Sequence, residues 1–240
     1  KVFLCSHVWH ERPTQKTKRQ AYTKGSCPTT LEMLMTKPMV LPLFSSPVYA
    51  NNTGYKPTQQ EIDYVLSLDK SIENSAEYLQ LSSNTQVLDL PELINLKTLC
   101  EKELHYYTNQ VLRIKQSFRI TNSWVTIKEK DQYHHLHNHQ NCIFSGIFYL
   151  QTPPDALLNF EGDPGFRDSF KFDYDYIDYN IFNAHSWKVS VPASTVVIFP
   201  SSLYHDVAPN LTTTPRICIA FNAFVTGKLA TKTFVSDLTL

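Results

Sequence analysis

What most restricts the fold of this chain is a series of short β-type segments in its second half, each closed by a turn signal. Residues 118–127, 133–139, 142–151, 157–160, 186–191, 195–199 and 215–224 are rich in β-branched and aromatic side chains. Pro153-Pro154, Gly162-Asp163-Pro164-Gly165, Pro192, Pro200 and Pro209 separate them. Many short strands with helices ahead of them predict an antiparallel sandwich or barrel with helical support. The helices are read at 58–112. Thr58-Gln59-Gln60-Glu61 has the form of a capping box, followed by Ile62, Val65 and Leu66 on one face. Asp89 and Pro91-Glu92 open a second helix, whose Leu93, Leu96, Cys100, Leu104, Tyr107 and Val111 keep helical spacing. Both stripes read as core.

Composition sets the outer bounds. With 240 residues, 42% hydrophobic, the chain has material for one large domain or one domain with an extension. Residues 1–37 stand apart: seven basic residues (Lys1, Arg12, Lys16, Lys18, Arg19, Lys24, Lys37) face two acids (Glu11, Glu32), without strand or helix periodicity. A basic, acid-poor start resembles a transit peptide. The alternative, preferred here, is a poorly ordered extension over 1–38, or sequence upstream of a start near Met33 or Met39. The domain proper is then 39–240.

Lys+Arg and Asp+Glu both number 22, and this neutral balance argues against a nucleic-acid or acidic-membrane partner. Five cysteines (Cys5, Cys27, Cys100, Cys142, Cys218) form no CxxC pair, and their spacing fits neither a zinc site nor a disulfide framework. The expectation is a soluble protein in the reducing cytoplasm, with no apolar run near the roughly 18 residues of a membrane helix. The tract 170–179 alternates acidic and aromatic residues and is read as a loop or edge bordering a site.

Chemistry concentrates in Tyr133-His134-His135-Leu136-His137-Asn138-His139. If this stretch is extended, side chains alternate, so His135, His137 and His139 share a face while His134 turns to the surface. Two histidines two apart on a strand can enter one cavity, where neutral imidazole suits iron, zinc, copper or nickel. His205 follows the apolar strand 195–199 through Pro200-Ser201-Ser202 and is the natural third ligand. Arg216 stands eleven residues later, at the start of another strand, and its planar fork of donors suits a carboxylate. Trp124 and Asn122, on the preceding strand, are candidates for the pocket wall. A solvated histidine-rich loop is the competing reading of the cluster.

The order of these elements resembles a known family. His137-Asn138-His139-Gln140-Asn141-Cys142-Ile143-Phe144-Ser145-Gly146-Ile147-Phe148-Tyr149-Leu150 is similar to the H-x-H…SGvyYl signature of the 2-oxoglutarate/Fe(II)-dependent oxygenase superfamily, in its branch of oxygenases from marine phages and bacteria. Val197-Ile198-Phe199-Pro200-Ser201-Ser202-Leu203-Tyr204-His205-Asp206-Val207 resembles its "llFPS…H.V" segment, and Arg216-Ile217-Cys218-Ile219-Ala220-Phe221-Asn222 its "RisiSFN" strand. Leu43-Phe44-Ser45-Ser46-Pro47-Val48-Tyr49 matches the way such domains begin, so the resemblance covers about residues 40–226.

The resemblance implies a double-stranded β-helix of the jelly-roll or cupin type. It implies iron(II) held by His137, His205 and a residue at position 139, with O2 and 2-oxoglutarate as cosubstrates. Arg216 and Tyr149 would hold the distal carboxylate of 2-oxoglutarate, and the activity would be a dioxygenase of hydroxylase type acting on a peptide or small molecule. His139 departs from the superfamily's usual carboxylate. That leaves a three-histidine site, a two-histidine site completed by water or an anion, or a carboxylate from elsewhere such as Asp131 or Asp206. The three-histidine site is preferred. The turn Pro192-Ala193-Ser194, where glycine is usual, and Cys218, where a hydroxyl often assists the cosubstrate, are smaller departures. Two other functions stay open: a three-histidine cupin-like dioxygenase that does not use 2-oxoglutarate, and a non-catalytic β-barrel binding module.

Overall fold

The structure, a computed structural model, describes residues 45–73, 79–162, 175–229 and 238–240. The extension expected at 1–38 and residues 170–174 of the tract 170–179 lie outside the described residues. Among the described residues no helix is long and apolar enough to cross a membrane.

The chain builds two antiparallel sheets of a double-stranded β-helix. The larger has seven strands in the order β1 (Tyr49–Asn52), β9 (Thr195–Pro200), β6 (Phe144–Gln151), β11 (Arg216–Thr226), β4 (Ser117–Lys128), β3 (Leu79–Ser82) and β2 (Lys70–Glu73). The smaller runs β5 (His134–His137), β10 (Tyr204–Val207), β7 (Leu157–Glu161), β8 (Ser186–Ser190). A two-strand pair, β12 (Lys228–Leu229) with β13 (Leu238–Thr239), follows.

Strand alternation in the larger sheet sorts residues between two cores. On one face Ile127, Phe148, Val196, Ile198, Ile217, Ile219 and Phe221 pack against Val65, Leu93, Leu96, Cys100 and Leu104 of the helical layer. On the other face Ile147, Tyr149, Val197, Phe199, Cys218 and Ala220 meet Leu158, Phe160 and Val207 of the smaller sheet. Both faces of β9 are therefore apolar, which is why Thr195-Val196-Val197-Ile198-Phe199 reads as a continuous hydrophobic run. Each such fully buried side chain contributes about 1.5–3 kcal/mol over its exposed state.

The first helix, α1 (Gln59–Ser67), begins at the predicted capping box: the Glu61 amide donates to Thr58 Oγ1 at 3.2 Å, and the Thr58 amide to Glu61 Oε2 at 2.8 Å. Val65 is buried but Leu66 is exposed. The second helix, α2 (Ile94–Tyr106), starts later than its sequence signals, because two 3-10 turns at Val87–Asp89 and Pro91–Leu93 precede it. Its stripe is buried through Tyr107, and a π-turn at Tyr107–Val111 then carries Val111 into solvent. Strands β1, β2 and β3 are additions to the expected set: each is four residues long, with β1 and β2 at the two edges of the sheet and β3 beside β2, too short for a period of two to be recognised. The turn before β9, where glycine is usual, holds Ser194 at φ +72°. Its carbonyl accepts from the Thr53 amide (3.0 Å) and hydroxyl (2.9 Å), and its amide donates to the Tyr149 carbonyl (2.8 Å), so three tertiary hydrogen bonds offset the strain.

Candidate metal centre

His137 ends β5 and faces His205 of β10 directly across the antiparallel pair. Their rings lie 4.2 Å apart between centroids. His139 lies two residues past the strand, tied by its amide to the Ser201 carbonyl at 2.9 Å, with its ring 5.2 Å from His137 and 5.1 Å from His205. One ring nitrogen from each of the three falls within 4.8 Å of the others. Among the described residues this is the one grouping of histidine, cysteine and carboxylate side chains able to hold a metal.

The partners behind the rings fix which nitrogen is free. His137 Nδ1 lies 2.8 Å from the His135 carbonyl, and His205 Nδ1 lies 3.0 Å from the Leu203 carbonyl. A carbonyl only accepts, so each Nδ1 carries the proton and donates it, leaving the Nε2 lone pair for a metal. His139 reaches the same state differently: its Nδ1 is 2.7 Å from Asn222 Oδ1 and 2.9 Å from Ser145 Oγ. Ser145 Oγ donates to Asn222 Oδ1 at 2.8 Å and lies 2.9 Å from Ser201 Oγ. This buried network joins residues from β6, β11 and the turn after β9, and it hands His139 a neutral acceptor.

Burial keeps the imidazoles uncharged. Desolvation first, with the neighbouring histidines adding to it, lowers His205 to about 3 and His137 to about 4. The His139 pKa is also lowered, again by desolvation first. At His205 and His137 a metal competes with no proton above about pH 5.

The reading of His134 as a surface residue is corrected. Pairing of β10 with β5 matches His205 to His137 but Val207 to His134, so two residues on one strand span three on the other. This β-bulge breaks the alternation. His134 turns inward, lines the cavity and stacks on His137 with ring centroids 4.0 Å apart. His135, expected on the metal face, is exposed. The two candidate carboxylates do not join the cluster: Asp206 Oδ1 accepts from Asn159 Nδ2 at 2.6 Å, and Asp131 is exposed at a positive-φ turn.

The larger sheet supplies the opposite wall. Trp124, Thr126 and Lys128 of β4, Ile147 and Tyr149 of β6, and Arg216, Cys218 and Ala220 of β11 line the same cavity as the histidines. Trp124 therefore fills the pocket role expected of it, its ring 5.7 Å from His139, while Asn122 is not among the lining residues. Arg216 is 3% exposed, and its Nε and Nη1 have no hydrogen-bond partner. Tyr149 is as buried, and burial raises its hydroxyl pKa. The buried cation that sequence reasoning missed is Lys128, which reads as the solvated end of a strand because Glu129, Lys130 and Asp131 follow it. Its parity with Trp124 and Thr126 is the signal that places it inside. Desolvation lowers its pKa to about 8, with Arg216 adding to the effect. An imidazole cluster beside an unpaired guanidinium fits a divalent metal with a carboxylate-bearing ligand.

Comparison with known proteins agrees with this geometry. Residues 122–222 match the family described as "Putative 2OG-Fe(II) oxygenase". No curated protein matches the chain in sequence. Among solved structures, the non-heme alpha ketoglutarate dependent epimerase SnoN from nogalamycin biosynthesis is 11% identical, with a TM-score of 0.51 over 73% of this chain and 75% of that one. HygX from Streptomyces hygroscopicus, with nickel, 2-oxoglutarate and hygromycin B bound, is 14% identical, with a TM-score of 0.50 over 75% and 83%. At these identities the likeness establishes the shared fold.

Proposed function

We propose, from the match of residues 122–222 to the 2OG-Fe(II) oxygenase family, that the chain is an iron(II)- and 2-oxoglutarate-dependent hydroxylase acting on a peptide or small molecule. The observation that carries the reading is the pairing of a three-imidazole cluster with the unpaired, buried guanidinium of Arg216 in one cavity. Iron(II), when bound, supplies the activation of O2 that couples oxidative decarboxylation of 2-oxoglutarate, to succinate and CO2, with insertion of one oxygen atom into a C–H bond. The protein's own residues do the rest. His137, His139 and His205 present Nε2, and the carbonyls of His135 and Leu203 and the amide of Asn222 hold the rings in that tautomer. Arg216, with the Tyr149 hydroxyl, receives the distal carboxylate and orients the cosubstrate toward the histidines. Phe160, Phe199 and Trp124 flank the imidazoles and keep bulk water from them. The assignment of 39–240 as the catalytic domain and of 1–38 as an extension belongs to the same proposal. The unpaired Cys100, Cys142 and Cys218 support a reducing, cytoplasmic setting.

The neutral third ligand favours one rival, a three-histidine dioxygenase without 2-oxoglutarate. The two are separated by supplying purified protein with Fe(II), ascorbate and 2-oxoglutarate and measuring succinate. The hydroxylase reading expects slow uncoupled turnover in the wild type, reduced about tenfold or more in Arg216→Ala. Undiminished turnover in the variant removes the role of Arg216, and no metal-dependent turnover in the wild type favours the rival.

A further inference from the structure

We propose that Lys128 is a second anchor for the distal carboxylate of the oxo acid, so that the acid is held by two cations rather than one; this rests on the 2-oxoglutarate reading above. Lys128 on β4 and Arg216 on β11 are direct partners across the antiparallel pair, and both line the cavity. Lys128 is 2% exposed, and its ammonium makes no ion pair among the described residues. Two like charges directly opposite on a buried sheet face destabilise a fold, and each pays desolvation without a partner. Such a pair is favourable only when an anion lies between them.

The donors at this wall match one carboxylate in number. A carboxylate offers about four lone-pair positions. The planar guanidinium of Arg216 fills two as a fork, the Lys128 ammonium fills a third and the Tyr149 hydroxyl the fourth. The thiol of Cys218, in the same wall, adds no strong donor where a hydroxyl often stands, and Lys128 makes good that loss.

The experiment is anaerobic calorimetry on the Mn(II)-loaded protein with 2-oxoglutarate and with 2-oxopentanoate, which has a methyl group in place of the distal carboxylate. Lys128→Met, close in volume, should weaken 2-oxoglutarate binding about tenfold or more, leave 2-oxopentanoate within about twofold, and leave Mn(II) affinity unchanged. Lys128→Gln should behave the same way and serves if the Met variant does not fold. Equal losses for both acids, lost Mn(II) affinity, or no loss for 2-oxoglutarate overturns the second anchor alone. A wild type that binds Mn(II) but not 2-oxoglutarate overturns the cosubstrate reading and the anchor with it.

Discussion

His139 differs from His137 and His205 in what stands behind it. Its Nδ1 meets the side-chain amide of Asn222, itself held by Ser145, where the other two lean on backbone carbonyls. A side-chain acceptor can be deleted. Asn222→Ala should lower Mn(II) affinity about 10–100-fold, the usual effect of losing a group that orients a ligand, as read by electron paramagnetic resonance titration. Unchanged affinity would mean that the metal is held by His137 and His205 without His139. At this scale the ordered motifs singled out His137, His139, His205, Tyr149 and Arg216, which the fold gathers around one cavity. It was silent on Lys128, whose charge suggested solvent, and misleading on His134, whose inward turn depends on a bulge that no residue type announces.

The elements were legible where two periods agreed. Strands β6, β9 and β11 are buried on both faces, so their continuous apolar runs stood out, and the capping box located α1. Strands β1 to β3 were not legible, since four residues carry little pattern and take their conformation from the neighbouring strands. Within β6, Gly146 lies opposite Phe221 of β11, and a Cβ there would come 2.2 Å from the Phe221 ring. Phe221 is fully buried in the core beneath the helices and has no room to withdraw. Gly146→Ala should therefore lower the unfolding free energy by about 1–3 kcal/mol, measured by urea denaturation. Adding Phe221→Leu should recover part of the loss, and additive losses would show that the ring is not the obstacle.

For the molecule as a whole, the histidine cluster ties stability to pH. The folded-state pKa values of His205 and His137 are depressed, to about 3 and about 4, against an unfolded value near 6.5. Between those limits the unfolded chain takes up protons that the folded one refuses, so the metal-free protein loses stability as pH falls below about 6.5. The slope approaches about 1.4 kcal/mol per pH unit for buried His205 and is smaller for half-buried His137. Denaturant midpoints between pH 7.5 and 4.5 should fall accordingly, and His205→Gln should flatten the curve; an equally steep curve in the variant would assign the effect to other groups. An antiparallel sandwich or barrel was readable from strand count and turn spacing, and the double-stranded β-helix only from the family resemblance of the ordered motifs. What no pattern conveyed was the division of labour, with the imidazoles on the smaller sheet or the turn leaving it and both cations on the larger.

The inserted residue in β5 makes that strand count in threes where its neighbours count in twos. His134 and His137 share the interior, and His135 between them meets solvent. The inserted residue, rather than residue identity, therefore selects His134 over His135 to stack on His137. Without that extra residue, regular alternation would turn His135 inward in place of His134 and change the cavity lining with the H-x-H motif untouched.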